Sequence, residues 1–79
     1  MSESVIVYST DGCVECNYVK NMLKEEGVSF EVRDIFEKEE YQQEVEKFGF
    51  MGVPVTVYQE MAIKGFTPEL KNLIAKAKK

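Results

Sequence analysis

The chain has 79 residues, with 14 acidic and 10 basic side chains and a net charge of −4. Its length predicts one domain, residues 1–79, with a thin core, and its 44% apolar content excludes a disordered chain. The acidic balance argues against nucleic acid and against anionic membrane surfaces as partners.

The N-terminal residues and the number of cysteines indicate where the protein works. The polar start at residues 1–4 does not resemble a signal peptide, and no apolar run approaches the ~20 residues of a membrane span. We therefore expect a soluble monomer in the cytoplasm, where thiols stay reduced. In that compartment, two cysteines favour catalysis or metal binding over a structural disulfide.

The predicted elements begin with a buried strand and a helix. Residues 5–8 form an unbroken apolar run, which is typical of a central strand buried on both faces. After the polar turn 9–12, a helix is predicted to begin near Cys13 and to end before Gly27, a residue suited to a left-handed C-terminal cap. Its apolar face is formed at helical spacing by Cys16, Val19 and Leu23.

A half-exposed strand and a second helix follow. Phe30 and Val32 alternate with the charged Glu31 and Arg33, which predicts a strand at the edge of a sheet. Apolar side chains then recur at i, i+4 and i+7, which predicts a helix that ends at Gly49. These side chains are Tyr41, Val45 and Phe48.

Two strands and a helix complete the chain. Residues 53–58 predict a strand that starts at a proline, and residues 61–63 predict its hairpin partner across the turn Gln59-Glu60. Thr67 and Pro68 predict a helix start, with a capping hydroxyl followed by proline in the first helical position. The apolar face of this helix is Leu70, Leu73, Ile74 and Ala77, and its solvated end carries Lys71, Lys76, Lys78 and Lys79.

The predicted order is therefore β-α-β-α-β-β-α, which defines an α/β fold. The first βαβ unit is expected to be parallel and right-handed, and the last two strands are expected to form an antiparallel hairpin. We expect a mixed sheet of four strands with helices on both faces.

The motif Cys13-Val14-Glu15-Cys16 carries the chemistry. Disulfide exchange needs one thiolate that attacks and a second thiol that releases the mixed disulfide. At a helix start, residues three apart are neighbours, so the two sulfurs join or separate with little backbone movement. A C-x-x-C motif that follows a first strand and opens a helix in a βαβ unit is a strong indication of this redox chemistry.

The helix start distinguishes the two sulfurs. Cys13 would lie beside unpaired N–H groups and the positive end of the helix dipole, which favours its thiolate, whereas Cys16 would be shielded on the apolar face. We therefore assign Cys13 as the nucleophile and Cys16 as the resolving thiol. Because Asp11 and Glu15 oppose the dipole, we predict a mild, thioredoxin-like reductant rather than a strong oxidant.

The cysteine pair is also compatible with three other functions. The cysteines fit a purely structural role, and they fit a redox sensor that is oxidised but turns nothing over. They also fit a metal or iron–sulfur binding module, although zinc would need ligands beyond two cysteines and the chain has no histidine.

Three segments occur in the order expected of glutaredoxin-like proteins: residues 8–16 (Tyr-Ser-Thr-Asp-Gly-Cys-Val-Glu-Cys), residues 52–54 (Gly-Val-Pro) and residues 65–68 (Gly-Phe-Thr-Pro). The sequence resembles this family over essentially its whole length, and it is closest to the NrdH-redoxins. The resemblance implies a thioredoxin/glutaredoxin-type fold and a dithiol–disulfide oxidoreductase with no bound cofactor. It also implies electrons from NADPH through thioredoxin reductase, and ribonucleotide reductase as a recipient.

The resemblance further implies the substrate-binding residues. Pro54 would be a cis-proline facing the cysteine pair, and Val53 would offer its N–H and C=O to an extended substrate. Local sequence alone favours a trans proline that starts an edge strand. Gly65, Phe66 and Thr67 would complete the surface, although Phe66 also fits a core position under the last helix. The other aromatic side chains are expected to be packing residues: Phe30, Phe36, Tyr41, Phe48 and Phe50.

Two departures from the family pattern concern glutathione. Glutaredoxins that bind it usually carry a basic residue just before the cysteine pair, but residues 9–12 of this chain are Ser-Thr-Asp-Gly. They also tend to have a Gly-Gly segment near the last helix, but residues 65–68 here are Gly-Phe-Thr-Pro. An acidic approach suits anionic glutathione badly. Lys64, in contrast, offers a cation near the site, so a glutathione-dependent glutaredoxin is the alternative enzyme.

Overall fold

The computed structural model describes residues 5–59 and 61–78, so the predictions for residues 1–4, for Glu60 in the hairpin turn and for Lys79 lie outside it. The predicted order of elements is confirmed. The elements are β1 (Val5–Ser9), α1 (Val14–Glu25), β2 (Phe30–Asp34), α2 (Glu39–Lys47), β3 (Val55–Tyr58), β4 (Met61–Lys64) and α3 (Glu69–Ala77). Within the described residues, none of these helices has the length and apolar character that a membrane crossing requires.

The sheet is mixed and has the strand order β2-β1-β3-β4. β1 and β2 are parallel, with Val7 opposite Val32, whereas β3 is antiparallel to both β1 and β4. The parallel first unit, the C-terminal hairpin and the edge position of β2 are therefore confirmed. β3 begins at Val55, directly after Pro54, because proline has no N–H to donate to a strand ladder.

Two apolar clusters on opposite faces of the sheet hold the helices. Successive strand residues point to opposite faces, so β1 contributes Val5 and Val7 to one cluster and Tyr8 to the other. The first cluster includes the fully buried leucines of α1 and α3, which are Leu23, Leu70 and Leu73. Each of these contributes about 2 kcal/mol by burial. The second cluster includes Val45 of α2, so the prediction of helices on both faces is confirmed.

The ends of the helices follow their sequence signals with one exception. Gly27 and Gly49 have φ angles of +73° and +86° just after α1 and α2, as predicted. At the start of α3, however, the Thr67 hydroxyl makes no capping hydrogen bond, and Pro68 already has helical backbone angles. The predicted capping hydroxyl is therefore wrong. The carbonyl of Thr67 instead accepts the N–H of Leu70 at 3.0 Å.

A polar network around Arg33 connects β2, β1 and α2. The guanidinium donates to Glu31 at 2.6 Å and to Glu44 at 2.8 Å. It also lies 5.9 Å from the ring centroid of Tyr8 and 5.3 Å from that of Tyr41. The Tyr8 hydroxyl donates to the same Glu44 oxygen at 2.6 Å. Burial raises the pKa of Tyr8 to about 12, and the hydrogen bond from Tyr8 lowers the pKa of Glu44 below its ordinary value of 4.5.

We predict that Glu44→Gln lowers the free energy of unfolding by about 0.5–1 kcal/mol near neutral pH, because it weakens a charge-assisted network that is partly exposed to solvent. The pKa of Glu44 is lower in the folded state, so its contribution is complete above pH 4.5 and is lost as the pH falls through the folded pKa. Urea unfolding should therefore show a difference from the wild type that shrinks on acidification.

The matched control is Glu46→Gln, which removes the same charge from the same helix. We expect it to show no comparable loss of stability and no comparable change with pH. An equal effect of Glu46→Gln would contradict the role assigned to Glu44.

Candidate active site

The strand directions bring the predicted site residues to one end of the sheet. β1 leads to Cys13 at this end, and β3, which is antiparallel to β1, starts here directly after Pro54. β4 returns to the same end and leads to the 65–67 segment. The fold therefore brings together three segments that are far apart in the sequence.

Cys13 is the N-cap residue of α1 and forms a disulfide with Cys16, with 5.2 Å between their Cα atoms. The chain enters this position through Gly12, whose φ of +76° costs glycine no Cβ clash. The backbone N–H of Cys16 donates to Sγ of Cys13 at 3.1 Å. The sulfur thus occupies the place that a side-chain oxygen takes in most helix caps, and it satisfies a donor that has no partner within the helix.

The two cysteines differ in exposure. Cys13 is partly exposed, whereas Cys16 is 0% exposed. Cys16 shares the buried face of α1 with Val19 and Leu23, so the predicted helical face is confirmed. Cys13 is therefore the more exposed residue of the pair.

The Val53–Pro54 peptide bond is cis, which is the isomer implied by the family resemblance and not the one favoured by local sequence. Pro54 is buried, and Val53 is half-buried against the cluster on the α2 face. The carbonyl of Pro54 accepts the N–H of Gly65 at 2.7 Å. This hydrogen bond connects the cis-proline segment to the loop between β4 and α3.

The same loop contacts α1. The N–H of Phe66 donates to the carboxylate of Glu15 at 3.5 Å, and the Phe66 ring lies against Tyr18 with 5.7 Å between the centroids. Phe66 is 45% exposed and Tyr18 is 53% exposed. The core position considered for Phe66 is therefore wrong, because the buried residues of α3, among them Leu70 and Leu73, fill the space under that helix.

Two of the other aromatic residues predicted to pack are also exposed. Phe36 follows the edge strand β2 and Phe48 follows the last residue of α2, so both lie where a neighbouring element no longer covers the chain. The packing prediction is wrong for these two. It is confirmed for the three that contact a core cluster, which are Phe30, Tyr41 and Phe50.

Sequence reasoning missed several exposed apolar side chains next to the site. Val14 lies between the cysteines, and Met51, which is 97% exposed, lies two residues before Val53. Tyr18 is exposed because it falls outside the face of α1 that carries Cys16, so helical spacing could have identified it. Met51 lies in a loop, where no periodicity indicates which side chains are exposed.

Charged side chains of both signs lie near the site. Asp11 and Glu15 are exposed on either side of Cys13. The side chain of Lys64 passes Gly52, with Cε 3.4 Å from the position that a Cβ would take there, so the predicted cation lies beside the cis-proline segment. Among residues 5–59 and 61–78, no three histidine, cysteine, aspartate or glutamate side chains are grouped so that they could hold a metal ion.

Comparison with known proteins identifies the family. The sequence profile of the glutaredoxin family matches residues 5–63. The glutaredoxin-like protein NrdH of Lactococcus lactis subsp. lactis is 36% identical over 64 residues, which cover 81% of this chain and 89% of that protein.

Solved structures share the fold. The NrdH-redoxin of Escherichia coli superposes with a TM-score of 0.82 at 24% identity, and the match covers 90% of this chain and 93% of that chain. The glutaredoxin of Archaeoglobus fulgidus superposes with a TM-score of 0.74 at 30% identity, covering 92% of this chain and 86% of that chain. The thioredoxin/glutaredoxin-type fold is therefore confirmed. With its C-x-x-C pair at the start of α1, this chain belongs to the glutaredoxin family, among its NrdH-like members, and is a dithiol–disulfide oxidoreductase.

Proposed function

We propose that the protein reduces protein disulfides, with Cys13 as the attacking nucleophile and Cys16 as the resolving thiol. The observation that carries this proposal is the asymmetry of the pair. Cys13 is partly exposed and its sulfur accepts the N–H of Cys16, whereas Cys16 is fully buried. A backbone donor and the positive end of a helix dipole both favour a thiolate over a thiol at Cys13.

The reaction proceeds by two exchanges. The Cys13 thiolate attacks one sulfur of the substrate disulfide, which forms a mixed disulfide and releases the first substrate thiolate to be protonated. Cys16 then loses its proton and attacks Sγ of Cys13, which breaks the mixed disulfide and frees the second substrate thiol. The protein dithiol loses two electrons and two protons, the substrate gains them, and the protein ends with a Cys13–Cys16 disulfide.

We assign substrate binding to the cis-proline segment and the loop after β4. An extended substrate segment would pair with the backbone of Val53, as a peptide pairs with a free strand edge. The hydrogen bond between Gly65 and Pro54 supports this assignment because it fixes the two segments relative to each other. The exposed ring of Phe66 would provide an apolar contact. The residues so assigned are Val53, Pro54, Gly65, Phe66 and Thr67.

The similarity to NrdH proteins supports a redox partner role, from which we propose the partners. We propose that thioredoxin reductase transfers electrons from NADPH to the Cys13–Cys16 disulfide, and that ribonucleotide reductase is one recipient. The protein acts in the cytoplasm, where a dithiol can be kept reduced, as a monomer with one domain over residues 1–79 and no bound cofactor.

We predict that iodoacetamide modifies Cys13 of the reduced protein at least about tenfold faster than Cys16, because alkylation needs an accessible thiolate. Peptide mass spectrometry at a series of times measures both rates. In concentrated urea the two rates should converge, because the burial of Cys16 is lost. Equal rates in the folded protein would contradict the proposed roles.

We also predict that the oxidised protein supports rapid NADPH consumption with thioredoxin reductase and a protein disulfide, but not with glutathione and glutathione reductase. Glu15 and Asp11 on the approach to Cys13 disfavour anionic glutathione, while Lys64 beside Gly52 is the feature that favours it. Cys13→Ser should be inactive with both donors, and the matched variant Val14→Ser, which leaves both thiols, should be active. Turnover with glutathione alone would make the protein a glutathione-dependent glutaredoxin.

A further inference from the structure

The side chain of Glu15 extends from α1 to the loop after β4. Its Oε2 accepts the N–H of Phe66 at 3.5 Å and lies 3.8 Å from the position that a Cβ would take on Gly65. The carboxylate therefore lies beside the Gly65–Phe66 peptide. A negative charge is held there, one residue before Cys16 and two after Cys13.

That peptide borders the surface on which a substrate has to lie. Gly65 donates to the carbonyl of Pro54 at 2.7 Å, which joins the loop to the cis-proline segment at the end of the sheet where Cys13 caps α1. A disulfide attacked by Cys13 places the groups next to its sulfur within this surface. Those groups are then close to the carboxylate of Glu15.

Building on the proposed attack by Cys13, we infer that Glu15 is a specificity-determining residue. Its carboxylate disfavours disulfides that carry a negative charge beside the attacked sulfur and favours those that carry a positive charge. The preferred substrate is therefore a disulfide whose neighbouring residues are basic, and anionic low-molecular-weight disulfides react slowly.

The effect of the Glu15 charge on substrate preference has to be distinguished from the effects of two neighbouring charges. Asp11 is exposed just before the cysteine pair and has the same sign, so it is tested by its own variant. The ammonium of Lys64 lies beside Gly52, with Nζ 3.8 Å from the position of a Cβ there. Its sign is opposite, so a preference for cationic disulfides cannot come from Lys64.

Three symmetric disulfides of similar size supply the test. Bis(2-aminoethyl), bis(2-hydroxyethyl) and bis(2-carboxyethyl) disulfide carry positive, neutral and negative ends. Each oxidises the reduced protein in one turnover: the dithiol gives two electrons and two protons, Cys13 and Cys16 become a disulfide, and two small thiols are released. The loss of protein thiols gives each rate without any reductase.

The quantity to compare is the ratio of the rate with the cationic disulfide to the rate with the anionic one. A variant that changes the reactivity of the Cys13 thiolate changes both rates in similar proportion, so this effect largely cancels. The leaving groups are the same for every variant and cancel as well. An interaction between Glu15 and the charge on the disulfide does not cancel.

Glu15→Gln keeps an oxygen that can accept the N–H of Phe66 and removes only the charge. We expect the cationic-to-anionic ratio to fall about three- to tenfold at low ionic strength, and the effect to nearly vanish in about 1 M salt. Glu25→Gln removes the same charge about 15 Å further along α1 and should leave the ratio unchanged. Asp11→Asn should lower the ratio less than Glu15→Gln does.

An unchanged ratio in Glu15→Gln would overturn the inference, as would an equal fall in Glu25→Gln or a larger fall in Asp11→Asn. The neutral disulfide separates this failure from a failure of the proposed function. If it oxidises the wild type but not Cys13→Ser, the attack by Cys13 stands whatever the ratio shows. If Cys13→Ser reacts as fast as the wild type, the proposed function fails and the inference fails with it.

Discussion

One hydrogen bond makes the two cysteines of this protein unequal: the backbone N–H of Cys16 donates to the sulfur of Cys13 at the start of α1. A helix leaves its first N–H groups without partners inside the helix, so an acceptor at the N-cap is stabilised there. Three residues later, the side chain of Cys16 points into the core with Val19 and Leu23. A single helical turn therefore holds one partly exposed cysteine and one buried cysteine, with Cα atoms 5.2 Å apart.

The rest of the fold holds this turn against the cis-proline segment. The apolar face of α1 packs on β1, and because β3 is antiparallel to β1, Pro54 lies at the end of the sheet where α1 begins. The hydrogen bond from Gly65 to Pro54 and the contact between Glu15 and Phe66 connect the cis-proline segment, the loop after β4 and α1 at this end of the sheet. On the opposite face, α2 is held by its own cluster and by the network around Arg33, so the sheet is covered on both sides.

Features that depend on periodicity within one element could be predicted from the sequence. The buried face of α1 that carries Cys16 is an example, and so is the order of helices and strands. The cis isomer of Pro54 followed only from resemblance to a family, because the local sequence favours trans. The capping hydroxyl of Thr67 was predicted wrongly, and the sequence left Phe66 open between a core position and the surface, because both residues lie in the loop after β4, where no periodicity indicates how a side chain is placed. The contact between Glu15 and Phe66 joins residues 51 positions apart, and a periodic pattern within one element does not predict such a contact.

The most direct test of the roles of the two cysteines is to react reduced Cys16→Ser with a disulfide-bonded substrate protein and to measure the intact mass. We predict a one-to-one covalent complex through Cys13 that a thiol reductant dissociates, because the thiol that would resolve the mixed disulfide has been removed. Wild-type protein should accumulate no such complex. A stable complex formed through Cys16 by Cys13→Ser, with none formed by Cys16→Ser, would contradict the proposed roles.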